Sequence, residues 1–461
     1  MKSWSLILLV VGFTGCAHFE PKPLAPEKSA AQLEARRLDD AGLKAFVARN
    51  ASNEFAVWPP AQWNLRSLTL AAFYFHPDLA VARAQWNLVA AGEKTAGGQP
   101  NPTLTLTPEY NSTTLVPTPW APAVNFDLPL ETMGKRAKRQ AEAQQNAEAA
   151  RFNFISAAWQ IRSGVRGALL EFSTAQKRAE LLQKQFTAQN EISRRLWQRF
   201  NAGVLARSEM APPQMALNRT QLELATAQTK LSEARSRLAE ALGLPLAALD
   251  GIQFKTEFTP PNTTDLNSAS ARHAALLGRS DIRAALAEYA AAEANLQLEI
   301  AKQFPDVHLN PGYQFDQGDN KWSLGLTFEL PILNQNQGPI AESQARRELA
   351  AAKFLQLQAQ VIGVTDRAVA GLAAAQAQLK TSDALLDMAQ RQQKSVAAQV
   401  KAGSADPLDA LNAEMELNAV RLGQLDGVTQ FQSALGALED ALQRPADEFD
   451  LLKFLPTHSQ P

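Results

Sequence analysis

Along this chain the spacing of apolar residues changes in a fixed order, and then changes again in the same order. Leu104 and Leu106 alternate with Thr103, Thr105 and Thr107, the two-residue period of a strand. Alternation returns between Val124 and Leu130 after a loop rich in Pro, Thr and Asn. From Glu131 to about Phe200 there is no proline, and Ala, Gln, Glu and Arg dominate. That stretch predicts one helix of about 70 residues, roughly 105 Å long at 1.5 Å per residue. Asn201-Ala202-Gly203 ends it with a helix-stopping glycine. A return helix is expected from about Ser208 to Leu242, closed by Gly243 and Pro245. Ahead of the strands, a helix is expected to open near Leu65 and to stop at the Gly and Pro residues of 97–102.

The second half repeats the first. Pro100 to Leu106 is answered by Phe304 to Leu309, and Asp127-Leu128-Pro129-Leu130 by Glu329-Leu330-Pro331-Ile332. Asn201-Ala202-Gly203 is answered by Lys401-Ala402-Gly403, and Met215, Leu217 and Asn218 recur as Met415, Leu417 and Asn418. A unit this long is a duplicated half-protein, since solenoid repeats are far shorter. Within each half the two shorter helices together match the long one, so each half offers two rods of equal length. The return helices carry Leu217, Leu224, Leu231 and Leu238, and then Leu417, Gln424, Phe431 and Leu438, every seventh residue. Thr220, Ala227, Ala234 and Ala241, and Val420, Gly427, Ala434 and Ala441, take the alternate seam. Such heptads mark knobs-into-holes packing or the core stripes of an ordinary bundle. Gln424 breaks the series and is expected to face a different neighbour.

These patterns divide the chain into residues 1–15, a targeting segment; 16–64, a Pro-punctuated extension; 65–250, the first repeat; 251–275, a linker; 276–445, the second repeat; and 446–461, a tail. Strands are expected at about 103–110, 123–130, 306–315 and 321–330. In the last pair Trp322, Leu324, Leu326, Phe328 and Leu330 oppose Ser323, Gly325, Thr327 and Glu329. Val307, Leu309, Tyr313 and Phe315 likewise oppose Asp306, His308, Asn310 and Gln314. One apolar and one polar face suits a membrane barrel with a wet lumen; it also suits a sheet packed on helices. In lipid, four strands cannot close, and an open edge would leave backbone groups unpaired. Two copies would give eight strands with a filled interior, and three would give twelve and an open pore.

Lys2, the apolar run Leu6 to Val11 and the small residues before Cys16 form a secretory leader. Phe13-Thr14-Gly15-Cys16 fits a lipoprotein signal with Cys16 as the lipidation site; a plain secretory leader is the other reading. Cys16 is the only cysteine, which leaves no disulfide framework. The formal net charge of −1 excludes a basic stripe for nucleic acid. Beyond residue 15 no apolar run approaches the roughly 18 residues of a spanning helix. There is no phosphate loop, HExxH or GxSxG motif, and the five histidines are scattered. No enzyme, cofactor or resident metal is expected. Lys135, Arg136, Lys138 and Arg139 form either a contact for anionic lipid head groups or a solvated face.

Over roughly 65–445 the chain resembles the TolC-type outer-membrane efflux proteins. The carriers are the strand–Leu-Pro–helix junctions at 127–131 and 329–332, the Ala-Gly turns at 202–203 and 402–403, and the Leu242-Gly243 end. Asp127 to Arg136, with His76-Pro77-Asp78-Leu79 and Pro100-Asn101-Pro102, is similar to the heavy-metal cation branch. The resemblance implies a mainly α fold with a small β part. It implies a lipid-anchored homotrimer whose twelve strands cross the outer membrane and whose helices form a periplasmic tunnel. The implied partners are a periplasmic adaptor and an inner-membrane pump of RND type. Gly203, Val204, Gly403 and Ser404 would meet the adaptor. Asp406 and Asp409 would line the periplasmic aperture as stacked acidic rings. Asp406 capping a helix, with Pro407 first inside it, is the local alternative. A non-conducting coiled-coil lipoprotein, an adaptor or envelope spacer, is the alternative for the whole chain.

Overall fold

The computed structural model describes residues 18–50, 57–112, 119–255 and 268–445. Its elements are α1 (Pro26–Glu34), α2 (Ala41–Asn50), α3 (Leu65–Phe75), α4 (Pro77–Ala96), β1 (Thr103–Thr107), β2 (Ala123–Leu130), α5 (Lys135–Asn201), α6 (Ala211–Leu242), α7 (Ser268–Gly278), α8 (Ser280–Ala301), β3 (Val307–Asp316), β4 (Asp319–Phe328), α9 (Gln337–Lys401) and α10 (Pro407–Leu442). The long helices α5 and α9 have 67 and 65 residues, about 100 Å each.

Both long helices start later than Glu131 and its counterpart would suggest. Met133 and Gly134 take positive φ ahead of α5, as Asn336 does ahead of α9, and a left-handed residue cannot continue a right-handed helix. The helix expected from Leu65 to residue 97 is broken. His76 is extended, with φ −69° and ψ 124°, because the residue before a proline is pushed out of the α region. The matching break in the second half falls at Arg279, φ −68° and ψ 135°. There α7 reaches back to Ser268, into the stretch read as linker.

The halves interlock along α5. Nearer the sheet, α5 packs against α4 and α8: Arg136 donates to the Gly97 carbonyl at 2.8 Å, Asn295 to Glu142 at 3.1 Å, and Ser156 bonds Ser280 at 2.7 Å. Farther away it packs against α6 and α10. Leu224, Ala227, Ala234 and Leu238 of the α6 seam are buried, as are Leu417, Gly427, Phe431, Leu438 and Ala441 of the α10 series. Gln424 turns to α9 and donates to Asp383 at 3.0 Å. A collar surrounds the middle of the rods: Leu38, Leu43 and Val47 of the N-terminal segment, Trp63, Leu68, Leu70 and Leu249 pack on Phe154, Trp159, Val165 and Phe172 of α5 and Leu238 and Leu242 of α6. Arg36 ties the collar down by donating to the Phe75 carbonyl at 2.7 Å and the Gly243 carbonyl at 2.9 Å.

The deepest joint between halves is charged. Arg162, Arg166 and Glu439 are buried. One Glu439 oxygen lies 3.1 Å from Arg162 Nη1 and 3.2 Å from Arg166 Nε. Arg166 also donates to the Gln432 carbonyl at 2.8 Å. Asp440 accepts from Trp159 at 2.9 Å and Ser163 at 2.6 Å. Gly436 makes room, since a Cβ there would stand 1.9 Å from Arg166 Nη1. Buried charge is expensive unless paired and hydrogen-bonded, and this cluster meets both conditions.

Candidate functional site: an open amphipathic sheet and a helical tip

The four strands form one antiparallel sheet in the order β1-β2-β3-β4. Its register places Leu104 opposite Phe126, Leu106 opposite Val124, Val124 opposite Tyr313 and Leu128 opposite Leu309. It continues with Leu309 opposite Leu326, Val307 opposite Phe328 and Tyr313 opposite Trp322. Directly opposed residues share a face, so one face of the sheet is apolar from edge to edge. On the other face Asn310 donates to Thr327 at 2.9 Å, and His308 Nδ1 lies 2.8 Å from Asp127. The apolar face is bare: Trp322 is 81% exposed and Leu324 69%. A contiguous apolar surface of this kind marks a membrane or protein contact.

The two ends of the sheet differ. At the end away from the helices, β3 and β4 join through Gln317 and Gly318, at φ 52° and 100°, the positive angles of a tight two-residue hairpin. The Tyr313 and Trp322 rings meet there, tilted, with centroids 4.8 Å apart, and the first half repeats the pair edge-on with Tyr110 and Trp120 at 4.9 Å. Amphipathic aromatic rings suit a membrane–water boundary. At the helix end a cleft of about 810 Å³ is lined by ionic pairs. Lys135 Nζ lies 2.7 Å from Asp306 and Arg139 2.6 Å from Glu131. Burial pushes the Asp306 carboxyl up, but Lys135 and the Thr132 N–H outweigh it, and the net pKa is lowered. Most of the basic cluster starting α5 is thus occupied within the chain. Arg139 donates to the Ala96 carbonyl at 2.8 Å and the Gly98 carbonyl at 2.9 Å. With Arg136 it covers the open C-terminus of α4, where cations complement the dipole. Only Lys138 of the four is left to the lipid reading.

The opposite ends of α5 and α9 turn identically. Gly203 and Gly403 have φ 75° and 73°. Val204 N–H donates to the Arg199 carbonyl at 2.9 Å, and Ser404 N–H to the Gln399 carbonyl at 3.0 Å. These are Schellman turns, which need a left-handed residue at C′. Gly203, Val204, Gly403 and Ser404 therefore share the tip farthest from the sheet, all exposed. Asp406 caps α10: it accepts from Leu408 N–H at 2.9 Å, while Asp409 accepts from Asp406 N–H at 3.0 Å. Arg199 of α5 pairs with the second Asp406 oxygen. The Leu408 N–H and then Arg199 hold the Asp406 carboxyl below the usual carboxylate range. In the first half Ala206 offers no cap, and only Glu209 reaches back, to Ala206 N–H at 2.7 Å. Close by, hydrogen bonds from Arg194 and Arg195 lower Glu191 to about 2. Arg199 lies 207 residues from Asp406, so no local spacing advertises the pair. Cys16 lies outside the described residues.

Among the described residues no group of three or more His, Cys, Asp and Glu could hold a metal ion. No helix among them is long and apolar enough to cross a membrane. An amphipathic sheet, bare on its apolar face and, among the described residues, unpaired at both edges, borne on long paired rods, fits a channel subunit that meets lipid through strands. Comparison with known proteins makes the assignment specific. The chain belongs to the outer membrane efflux protein family, whose model matches residues 72–244 and 271–443. It is a non-enzymatic channel component of efflux, located in the outer membrane. The crystal structure of the outer membrane protein VceC from Vibrio cholerae is similar, at 20% identity and TM-score 0.67, over 83% of this chain and 97% of that one. So is the open state of the MtrE outer membrane channel of Neisseria gonorrhoeae, at 18% and 0.65, over 82% and 89%. The CmeC outer membrane channel of Campylobacter jejuni matches at 14% and 0.66, over 82% and 85%. No curated protein sequence matches the chain.

Proposed function

We propose that three copies of the chain close into a passive conduit from periplasm to exterior, working with a periplasmic adaptor and an inner-membrane pump of RND type. The observation that carries this reading is the sheet: its apolar face is exposed and, among the described residues, both edge strands lack partners. In lipid only a closed barrel satisfies such edges, and twelve strands, unlike eight, leave an aqueous lumen. Asp127, His308, Asn310 and Thr327 would line that lumen. Cys16 would carry the lipid anchor. Gly203, Val204, Gly403 and Ser404 would receive the adaptor.

Asp406 and Asp409 would narrow the periplasmic aperture. With Asp406 committed to Arg199, the exposed Asp409 would supply most of the negative charge facing the axis. The proposed cargo is heavy-metal cations, on the resemblance of Asp127–Arg136 and His76–Leu79; a conduit needs no ligand shell to pass them. Reconstitution of purified protein into planar bilayers tests the conduit. Discrete current steps are expected, and silence from a correctly inserted trimer would favour a spacer. Asp406→Ala with Asp409→Ala is expected to raise single-channel conductance.

A further inference from the structure

The polar face of the sheet carries one imidazole, and its surroundings are those of a metal ligand. Among the four strands histidine occurs only at His308 of β3, and the corresponding place in β1 is Thr105. The His308 side chain is 40% exposed, with Pro129 of β2 on one side and Thr327 of β4 on the other. Its Nδ1 lies 2.8 Å from Asp127 Oδ1. An ionised carboxylate can only accept. The Nδ1 proton therefore donates to Asp127, and the lone pair of the neutral ring is left on Nε2. No group among the described residues hydrogen-bonds that nitrogen. A carboxylate on one ring nitrogen is the usual support of an imidazole that ligates metal through the other, because it fixes the tautomer and ring orientation and raises the ligand's basicity.

The charges around the ring favour a cation. Asp127-Leu128-Pro129-Leu130 and Glu329-Leu330-Pro331-Ile332 are counterparts, so β3 runs between the same acid of both halves. Continuing the pairing of Val307 with Phe328 by one residue places Glu329 on the face of His308, diagonal to it. Diagonal neighbours lie about 7–8 Å apart, within reach of a long side chain. Both residues line the cleft at the helix end of the sheet. Glu329 is exposed, with no hydrogen-bond or ionic partner among the described residues. The basic side chains of the cleft are already taken: Lys135 by Asp306 and the Phe304 carbonyl, Arg139 by Glu131, and Lys302 by Glu299 at 2.6 Å. Asp306 and Glu131 are occupied in the same pairs. Asp127 and Glu329, one on each side of the imidazole, are the carboxylates left without a basic side chain.

We propose that His308 Nε2 and the Glu329 carboxylate hold a divalent transition-metal ion, with water completing its shell and Asp127 as the positioning residue. One imidazole and one carboxylate suit Zn2+, Ni2+ and Cu2+ rather than Mg2+ or Ca2+, and Cu2+ binds such donors most tightly of the series. Two protein ligands make a site that gives its ion up readily, as passage through a conduit requires. Binding itself does not depend on assembly. The placement of the site on a lumen wall rests on the conduit reading above, to which it adds a contact for the proposed cation cargo.

Titration of the untagged, full-length protein in detergent with Cu2+ at neutral pH, followed by electron paramagnetic resonance, tests the site. The wild type is expected to bind one more Cu2+ per chain than His308→Ala, with the nitrogen splitting of a single imidazole; sites at other histidines are common to both proteins. Glu329→Gln is expected to keep that splitting and to weaken binding. Asp127→Asn is expected to keep it too, with affinity reduced by about 10–100-fold and an unchanged thermal melt. Equal binding by the wild type and His308→Ala overturns the proposal, and unchanged affinity in Glu329→Gln refutes the second ligand. In planar bilayers, Cu2+ is expected to reduce the wild-type current reversibly and to leave the His308→Ala current level. Binding that never touches the current refutes the lumenal placement, whereas silence before Cu2+ is added counts against the conduit alone.

Discussion

Glu439→Gln isolates the energetics of the charged joint. The substitution keeps size and shape but removes the single negative charge shared by two guanidinium groups. Arg162 is 1% exposed, and Arg166 and Glu439 are 6% each, so water cannot replace what is lost. Near 4 Å and at an effective dielectric of 20, one such pair attracts by about 4 kcal/mol. Removing one partner of a buried pair typically costs about 3–5 kcal/mol, because the other charge stays behind. Two features pull the expectation towards about 3 kcal/mol. Arg162 keeps the Trp159 ring, 5.1 Å from its Cζ, and Arg166 keeps the Gln432 carbonyl. Urea unfolding of the detergent-solubilised protein, followed by far-UV circular dichroism, measures the loss. The companion variant Arg162→Met, Arg166→Met, Glu439→Leu removes those three charges together and fills the space. It is expected within about 1 kcal/mol of the parent, or more stable. A Glu439→Gln loss below about 1 kcal/mol, or a triple variant weaker than the single one, would refute the view that an uncompensated charge sets the cost.

Three other outcomes are expected. Leu326→Arg on the apolar face should weaken folding into lipid vesicles by about 2–4 kcal/mol, whereas Ser323→Arg on the polar face should leave it nearly unchanged; equal losses would mean the faces are misassigned. Gly243→Ala should be clearly destabilising in a thermal melt, because its Cβ would meet His76 Cα at 2.9 Å and φ is 68°. Gly203→Ala, with φ 75° and no neighbour within 4 Å, should carry the backbone strain alone. Because Asp406 has a lowered pKa, its stabilisation of the tip is present above the ordinary value of 3.8 and fades as pH falls through the lower folded value. Conductance should therefore be level from neutral pH down to that range and change below it, and Asp406→Asn should weaken the acid response.

The strands and rods were legible because their signals are local. Period-two alternation from Val307 to Phe315 fixes which side chains share a face, and the proline-free stretch after Glu131 has no alternative to helix. The break at His76 also had a local signal in Pro77. The break at Arg279 had only a lone glycine, Gly278, as a local signal. It is set by contacts from far along the chain: Arg279 donates to the Asp440 and Ala441 carbonyls at 3.1 and 2.7 Å, and Gln443 accepts from Ser280 N–H at 2.8 Å. The basic start of α5 was misread for the same reason. Arg136 and Arg139 find their carbonyls on α4, about 40 positions upstream. At the tip, Asp406 was visible as a cap and as a charge, but its tie to Arg199 depends on how α5 and α10 come together.

The duplication has an evolutionary corollary. A ring of identical half-length chains would carry the same contact at every joint, and any mutation would alter all of them together. In the three-copy conduit proposed above, fusing two halves would free alternate joints to diverge, so that one kind could harden while its neighbour stayed easy to part. Arg199 beside Asp406, set against Gln399 and Ala206, is the trace such divergence leaves.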